Sequence, residues 1–147
     1  MDIFIKNFLF LASWFYYSVY MEDFVIKSTH RTPYVHLKDG LIQIIGRSIP
    51  ENPSVFYKPI YDWIVNYSKT MHTHTQIDLN FEYINTSSTK WVFNMLKILG
   101  KKHEIKDMMK INWYYEEGDD DMAELGRIFK SLVKSPFTFI ETEEQPG

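Results

Sequence analysis

The stretch Gln76 to Ile84, QIDLNFEYI, alternates without a break: Ile77, Leu79, Phe81 and Tyr83 fall on one side, Asp78, Asn80 and Glu82 on the other. A period of two sustained this long fits an extended strand with one buried and one wet face. Asn85 and four hydroxyl side chains in a row, Thr86, Ser87, Ser88 and Thr89, come next. Trp91, Val92, Met95, Leu96 and Leu99 then repeat at the spacing of one helix face, in a helix that Gly100 can end. A strand that turns at once into an amphipathic helix has to bury both against something. The usual solution is a second, parallel strand reached through the helix.

The rest of the chain supplies the other parts. YVHLK and LIQIIGR flank Asp39-Gly40, a hairpin signal that predicts a type I′ turn. GRSIPEN, Gly46 to Asn52, reads as a turn in which Asn52 can cap before Pro53. Phe56, Ile60, Trp63, Ile64 and Tyr67 mark a helix face. Pro59 lies inside that pattern, so the main helix is expected to begin at Lys58 or Pro59. MHTHT and KKHEIKD read as connections, MKINWYYEE as a further strand, and FTFIE as the last one. GDDDMAELGRIFKSLVK predicts a third helix with Met122, Leu125, Phe129, Leu132 and Val133 inward, ended by Ser135-Pro136. The order from Tyr34 is β-β-α-β-α-β-α-β. This is an α/β single domain: a small mixed sheet, an antiparallel hairpin followed by βαβ units, packed on about three helices. Polar residues on one face of several strands place the helices on the other, leaving a sheet face or edge open to a partner.

The N-terminus does not fit this scheme. Phe8 to Tyr20, FLFLASWFYYSVY, carries no charge over thirteen residues. That is short of the roughly 18 to 20 a bilayer span needs. It matches a signal-peptide core in length, with Lys6 before it, but lacks a small-residue cleavage site. MEDFVIKSTHRTPYVHL, from Met21, reads as an ordinary cytosolic start, so residues 1–31 are read as an N-terminal extension, mis-started or disordered. The domain then covers 32–141, with a tail at 142–147.

Composition sets limits on function. A net charge of −3 argues against non-specific nucleic-acid binding, which needs a basic face. The absence of cysteine removes disulfides, thiolate metal sites and a cysteine nucleophile, and suits a reducing cytoplasm. There is no G-x-S-x-G, G-x-G-x-x-G or Walker A pattern. His72 and His74 lack an obvious third metal ligand; His30, His36 and His103 are scattered. Asp119 to Asp121, after Glu116 and Glu117, suit a helix start better than a calcium loop, although the five acids form a negative patch. Asp78 and Glu82 read as solvated acids. No catalytic residue, metal or cofactor is expected. At the hydroxyl run two readings remain: capping by Asn85 to Ser88, or phosphorylation at a helix N-terminus, whose free N–H groups and positive dipole end accept a phosphate.

TPYVHL, GRSIPENP, FYKPIYDWI, EYINTSSTK, INWYYEEGDDDM and SPFTFIE, taken in order from Thr32 to Glu141, resemble the SiaC family of regulatory phosphoproteins. The resemblance implies a STAS-like fold, related to anti-sigma-factor antagonists, and a protein that is not an enzyme. It implies phosphorylation on the threonine of the Asn85-Thr86-Ser87-Ser88 motif by a SiaB-like Ser/Thr protein kinase, and removal of the phosphate by a PP2C-type phosphatase. Thr86 is the implied acceptor, with Ser87 and Ser88 as neighbouring candidates. The implied partner of the unphosphorylated form is an effector such as a diguanylate cyclase, in cyclic di-GMP and biofilm signalling, with no nucleic acid and no membrane involved and a cytoplasmic location. STAS-like domains also bind small ligands, and that is the alternative reading.

Overall fold

Among the described residues all parallel pairing comes from one run of four consecutive strands, each joined through a helix to the next. The computed structural model describes residues 3–19, 21–70, 74–101 and 108–143. Within them lie α1 (Ile3–Val19), β1 (Phe24–Ile26), β2 (Tyr34–Lys38), β3 (Leu41–Ser48), α2 (Pro53–Thr70), β4 (Thr75–Ile84), α3 (Thr86–Lys101), β5 (Met109–Glu116), α4 (Asp120–Leu132) and β6 (Phe137–Thr142). The six strands form one sheet in sequence order. β1, β2 and β3 pair antiparallel; β3, β4, β5 and β6 pair parallel. Crossovers between parallel strands take one hand almost without exception, so repeated steps in one direction bring α2, α3 and α4 back on one face.

The core lies between that face and the helices. Val35, Leu37, Ile42, Ile44, Ile77, Leu79, Phe81, Ile111 and Trp113 meet Tyr57, Ile60, Ile64, Val92, Leu96, Leu99 and Phe129. Among the described residues no helix lies over the opposite face. One row of paired residues crosses it from edge to edge: Val25, His36, Gln43, Asp78, Asn112 and Thr138. Asp78, expected to be solvated, is only 5% exposed. Gln43 and Gln76 donate to its carboxylate at 3.0–3.1 Å and Asn112 at 2.8 Å. Three primary amides thus replace the water that a carboxylate on an open sheet face would otherwise hold.

Five local features differ from the expectations above. The Asp39-Gly40 turn joins Lys38 to Leu41, but only Gly40 has positive φ, at 80°. Type I′ needs positive φ at both positions, so this turn belongs with those that require glycine at the second alone. The Tyr67 hydroxyl accepts from the Gly40 N–H at 3.0 Å and holds the turn from outside the hairpin. The helix expected from Lys58 or Pro59 begins at Pro53, after Asn52, whose Oδ1 accepts from Val55 N–H at 3.2 Å. Pro59 stays inside it because it faces solvent, and the carbonyl it leaves without a partner belongs to exposed Val55, where water can bond it. Gly100 does not end α3, which runs on to Lys101. Leu132, expected inward, is 57% exposed, and Val133 takes the buried place after α4. β1 was not anticipated: Phe24 to Ile26, inside the segment read as an extension, pair with Val35 to Leu37. His72 and His103, and most of the two connections read as MHTHT and KKHEIKD, fall outside the described residues.

α4 approaches the sheet closely at Gly126. A Cβ there would lie 2.6 Å from Trp113 Cδ1 and 2.7 Å from a Phe139 ring carbon. Trp113 is fully buried and donates from its indole nitrogen to the Met122 carbonyl at 3.0 Å, so it has no room to yield. Gly126→Ala gains helix propensity but forces α4 off the sheet. We expect a net destabilisation of about 1–3 kcal/mol in chemical denaturation.

Candidate functional site

The parallel strands β3, β4 and β5 all end on one edge of the sheet, and the N-termini of α2, α3 and α4 begin there. The starts of α2 and α3 are alike in having no acid in the first turn, and that of α4 differs. α2 is capped by Asn52. α4 is capped by Asp119, whose Oδ1 accepts from Met122 N–H at 3.0 Å, and has Asp120 and Asp121 in its first turn. These carboxylates already answer the positive end of its dipole. The first turn of α3 has no acid.

Asn85 caps α3, its Oδ1 accepting from Ser88 N–H at 2.8 Å. The four hydroxyls that follow part ways. Ser88 is fully buried; it bonds Ser48 Oγ at 2.8 Å and donates to the Ser48 carbonyl at 3.3 Å. Ser48 in turn shares a 2.6 Å hydrogen bond with the Tyr57 hydroxyl. This buried trio fastens the start of α3 to the end of β3 and to α2. Thr89 donates back to the Asn85 carbonyl at 2.9 Å. Thr86 and Ser87 face solvent, and neither hydroxyl has a hydrogen-bond partner among the described residues. A nucleophile needs a base within reach, and none touches Thr86 there. The geometry offers an accessible hydroxyl at an uncompensated helix N-terminus, with the capping duty already discharged by its neighbour.

Tyr83 belongs to this surface although its alternation with Phe81 would bury it. The pairing of β3 with β4 passes from Gly46–Phe81 to Arg47–Tyr83, leaving Glu82 as an extra residue. The bulge reverses the facing beyond it, and Tyr83 is 53% exposed. Gly46, opposite, has φ of 120°, a conformation other residues rarely adopt. Arg47 and Glu82 form an exposed ion pair at 3.8 Å beside it. The only advance signal was Gly46 itself, since glycine within a strand marks bulges. Of the two acids read as solvated, Glu82 is exposed and pairs with Arg47, whereas Asp78 is enclosed by amides.

Among the described residues no group of three or more His, Asp or Glu could hold a metal ion. A cleft of about 690 Å³ opens between α4 and the β5–β6 edge, lined by Tyr115, Ala123, Arg127, Lys130, Ser131 and Phe139. No residue of the hydroxyl turn lines it.

The structure is a one-sided α/β sheet with an accessible hydroxyl on a capped helix start. Comparison with known proteins gives its class. Residues 26–142 match the family described as SiaC family regulatory phosphoprotein, and the chain belongs to that family. It is 27% identical over 126 residues to a protein of Pseudomonas aeruginosa strain UCBPP-PA14, covering 84% of this chain and all of that one. The structure of SiaC from Pseudomonas aeruginosa superposes with a TM-score of 0.76 at 27% identity, over 83% of this chain and all of SiaC. A crystal structure of the diguanylate cyclase SiaD in complex with its activator SiaC, from the same organism, gives 0.74 at 26% identity, over 82% of this chain and all of its counterpart.

Burial holds the Tyr57 hydroxyl above its ordinary pKa, and its bonds to Ser48 and Ser88 oppose that shift without cancelling it. The folded state therefore keeps this proton longer than the unfolded chain. The associated stability is complete below the ordinary tyrosine value and is lost as pH rises through the raised one. Tyr114 is raised as well, by burial and then by the charge of Asp78, and adds to the same alkaline slope. Tyr57→Phe is expected to cost about 1 kcal/mol at neutral pH, from the lost hydrogen bond, and to flatten the fall in stability above the ordinary tyrosine pKa. Denaturation curves on both sides of that pH check the two effects separately.

Proposed function

We propose that this protein is a phosphorylation-controlled regulator whose switch is Thr86. A SiaB-like Ser/Thr protein kinase adds a phosphate there, a PP2C-type phosphatase removes it, and the unphosphorylated form binds an effector, for which a diguanylate cyclase is the leading class. The observation that carries this reading is the division of labour in the hydroxyl run. Asn85 caps, Ser88 and Thr89 are occupied by internal bonds, and Thr86 is left exposed and unbonded at a helix start without acids. Ser87 shares that exposure and is the second candidate. Burial disfavours Ser88, because a kinase would have to open the trio with Ser48 and Tyr57 to reach it.

The effector reading draws on family membership and on the SiaC–SiaD complex of Pseudomonas aeruginosa. In physical terms, a phosphate adds about −1.5 to −2 charges to the edge where Tyr83 and the Arg47–Glu82 pair are exposed. A partner seated there with a carboxylate opposite Thr86 loses the contact through like-charge repulsion and the cost of desolvating the phosphate. The small-ligand alternative would rest on open clefts, such as the one beside α4, that hold no residue of the hydroxyl turn.

Intact mass after incubation with a SiaB-like kinase and ATP tests the site. Wild type should gain one phosphate and Thr86→Ala none; gain in both would move the acceptor to Ser87, and gain in neither would remove the switch. With the effector in hand, Thr86→Asp should bind at least about tenfold more weakly than wild type by calorimetry. Equal binding by the two proteins would reject the docking model even if Thr86 proves to be the acceptor.

A further inference from the structure

The helix α1 has no place in the architecture described so far. It lies before the region matched by the family, and the SiaC structure is covered in full without the whole of this chain. Its described apolar side chains stand in solvent: Ile3, Phe4, Ile5, Phe8, Leu9, Phe10 and Leu11 are 48% to 90% exposed. At 100° per residue these positions spread over about 260° of the helix, and Lys6 falls in the remaining sector. A helix lying on a protein surface, or in a coiled coil, is apolar along one stripe and polar elsewhere. One that is apolar over most of its circumference requires a surrounding solvent of its own kind.

We propose that α1 is a lipid anchor, with a bilayer as its partner. Among the described residues no helix is long and apolar enough to cross a membrane. Seventeen residues make about 25 Å, less than the roughly 30 Å of bilayer hydrocarbon. α1 therefore occupies one leaflet, with both ends returned to headgroup level. The sequence supplies a suitable group for each end. Lys6, the single charge in α1, can extend its ammonium from the first turns to the headgroups. The sequence places Trp14, Tyr16, Tyr17 and Tyr20 toward the other end, residue types that favour the membrane–water interface. Glu22 and Asp23 follow and mark the return to water. The Glu22 carbonyl accepts from the Trp63 indole at 3.1 Å, so the chain is fastened to α2 within three residues of the end of α1. This short connection holds the regulatory domain close to the surface. One lysine against Asp2, Glu22 and Asp23 gives no net attraction to anionic lipid, so binding rests on apolar insertion.

Flotation of the full chain with phosphatidylcholine vesicles tests this, with Phe8→Asp/Leu11→Asp as the comparison. Both positions are exposed and outside the core, so the variant should keep the wild-type denaturation midpoint. Wild type should float, equally at about 0.1 M and about 1 M salt, and the double variant should lose at least about tenfold of the floated fraction. Wild type that stays in the dense fraction overturns the proposal. So does wild type that forms a discrete oligomer without lipid and remains one when vesicles are added, since the helix would then be covering a second copy. Neither result bears on the role of Thr86.

Discussion

The one-sided packing of α2, α3 and α4 governs the rest of this molecule. A parallel sheet is normally covered on both faces. Here the chain steps from β3 to β6 in one direction, and crossovers of fixed hand leave the second face bare. Two consequences follow. The bare face has to be polar, and the row His36, Gln43, Asp78, Asn112 and Thr138 meets that need, with the Asp78 carboxylate held by amides at its centre. The strand ends have to coincide, and so do the helix starts that follow them. The edge bearing Thr86 is thus a product of topology before it is a product of any particular side chain.

Much of this was legible in the chain. The alternation in β4 and the helical spacing in α2, α3 and α4 gave the element order, because each is long enough for its period to be unambiguous. Local chemistry was less transparent. Pro59 is a helix breaker only where its missing bond is buried, and exposure at Val55 cannot be read from the proline. The Asp39-Gly40 turn depends on a hydroxyl donated to it by α2, twenty-seven residues away. β1 is three residues long and has no periodic signal of its own; the pairing partner in β2 defines it.

The hydroxyl run illustrates the same limit at the site. Four adjacent hydroxyls are chemically similar in a list. Their difference lies in direction: the helix turns Ser88 inward to Ser48 and Tyr57, back-bonds Thr89, and leaves Thr86 and Ser87 outside. The motif resemblance pointed to Thr86 and the folded geometry leaves that side chain accessible, two independent lines of argument. Tyr83 was misread for a related reason. A single extra residue in β4 reverses its facing, and an alternating pattern contains no mark of where pairing slips.

The Asn85 cap carries an implication for how information is stored here. The bond that starts α3 runs between Asn85 and Ser88, and the anchor beneath it runs between Ser88, Ser48 and Tyr57. Neither passes through Thr86. A group attached to that hydroxyl can come and go while the helix, the sheet and their packing remain as they were. Under the switch proposed at Thr86, the message resides in surface charge and the fold serves as its support.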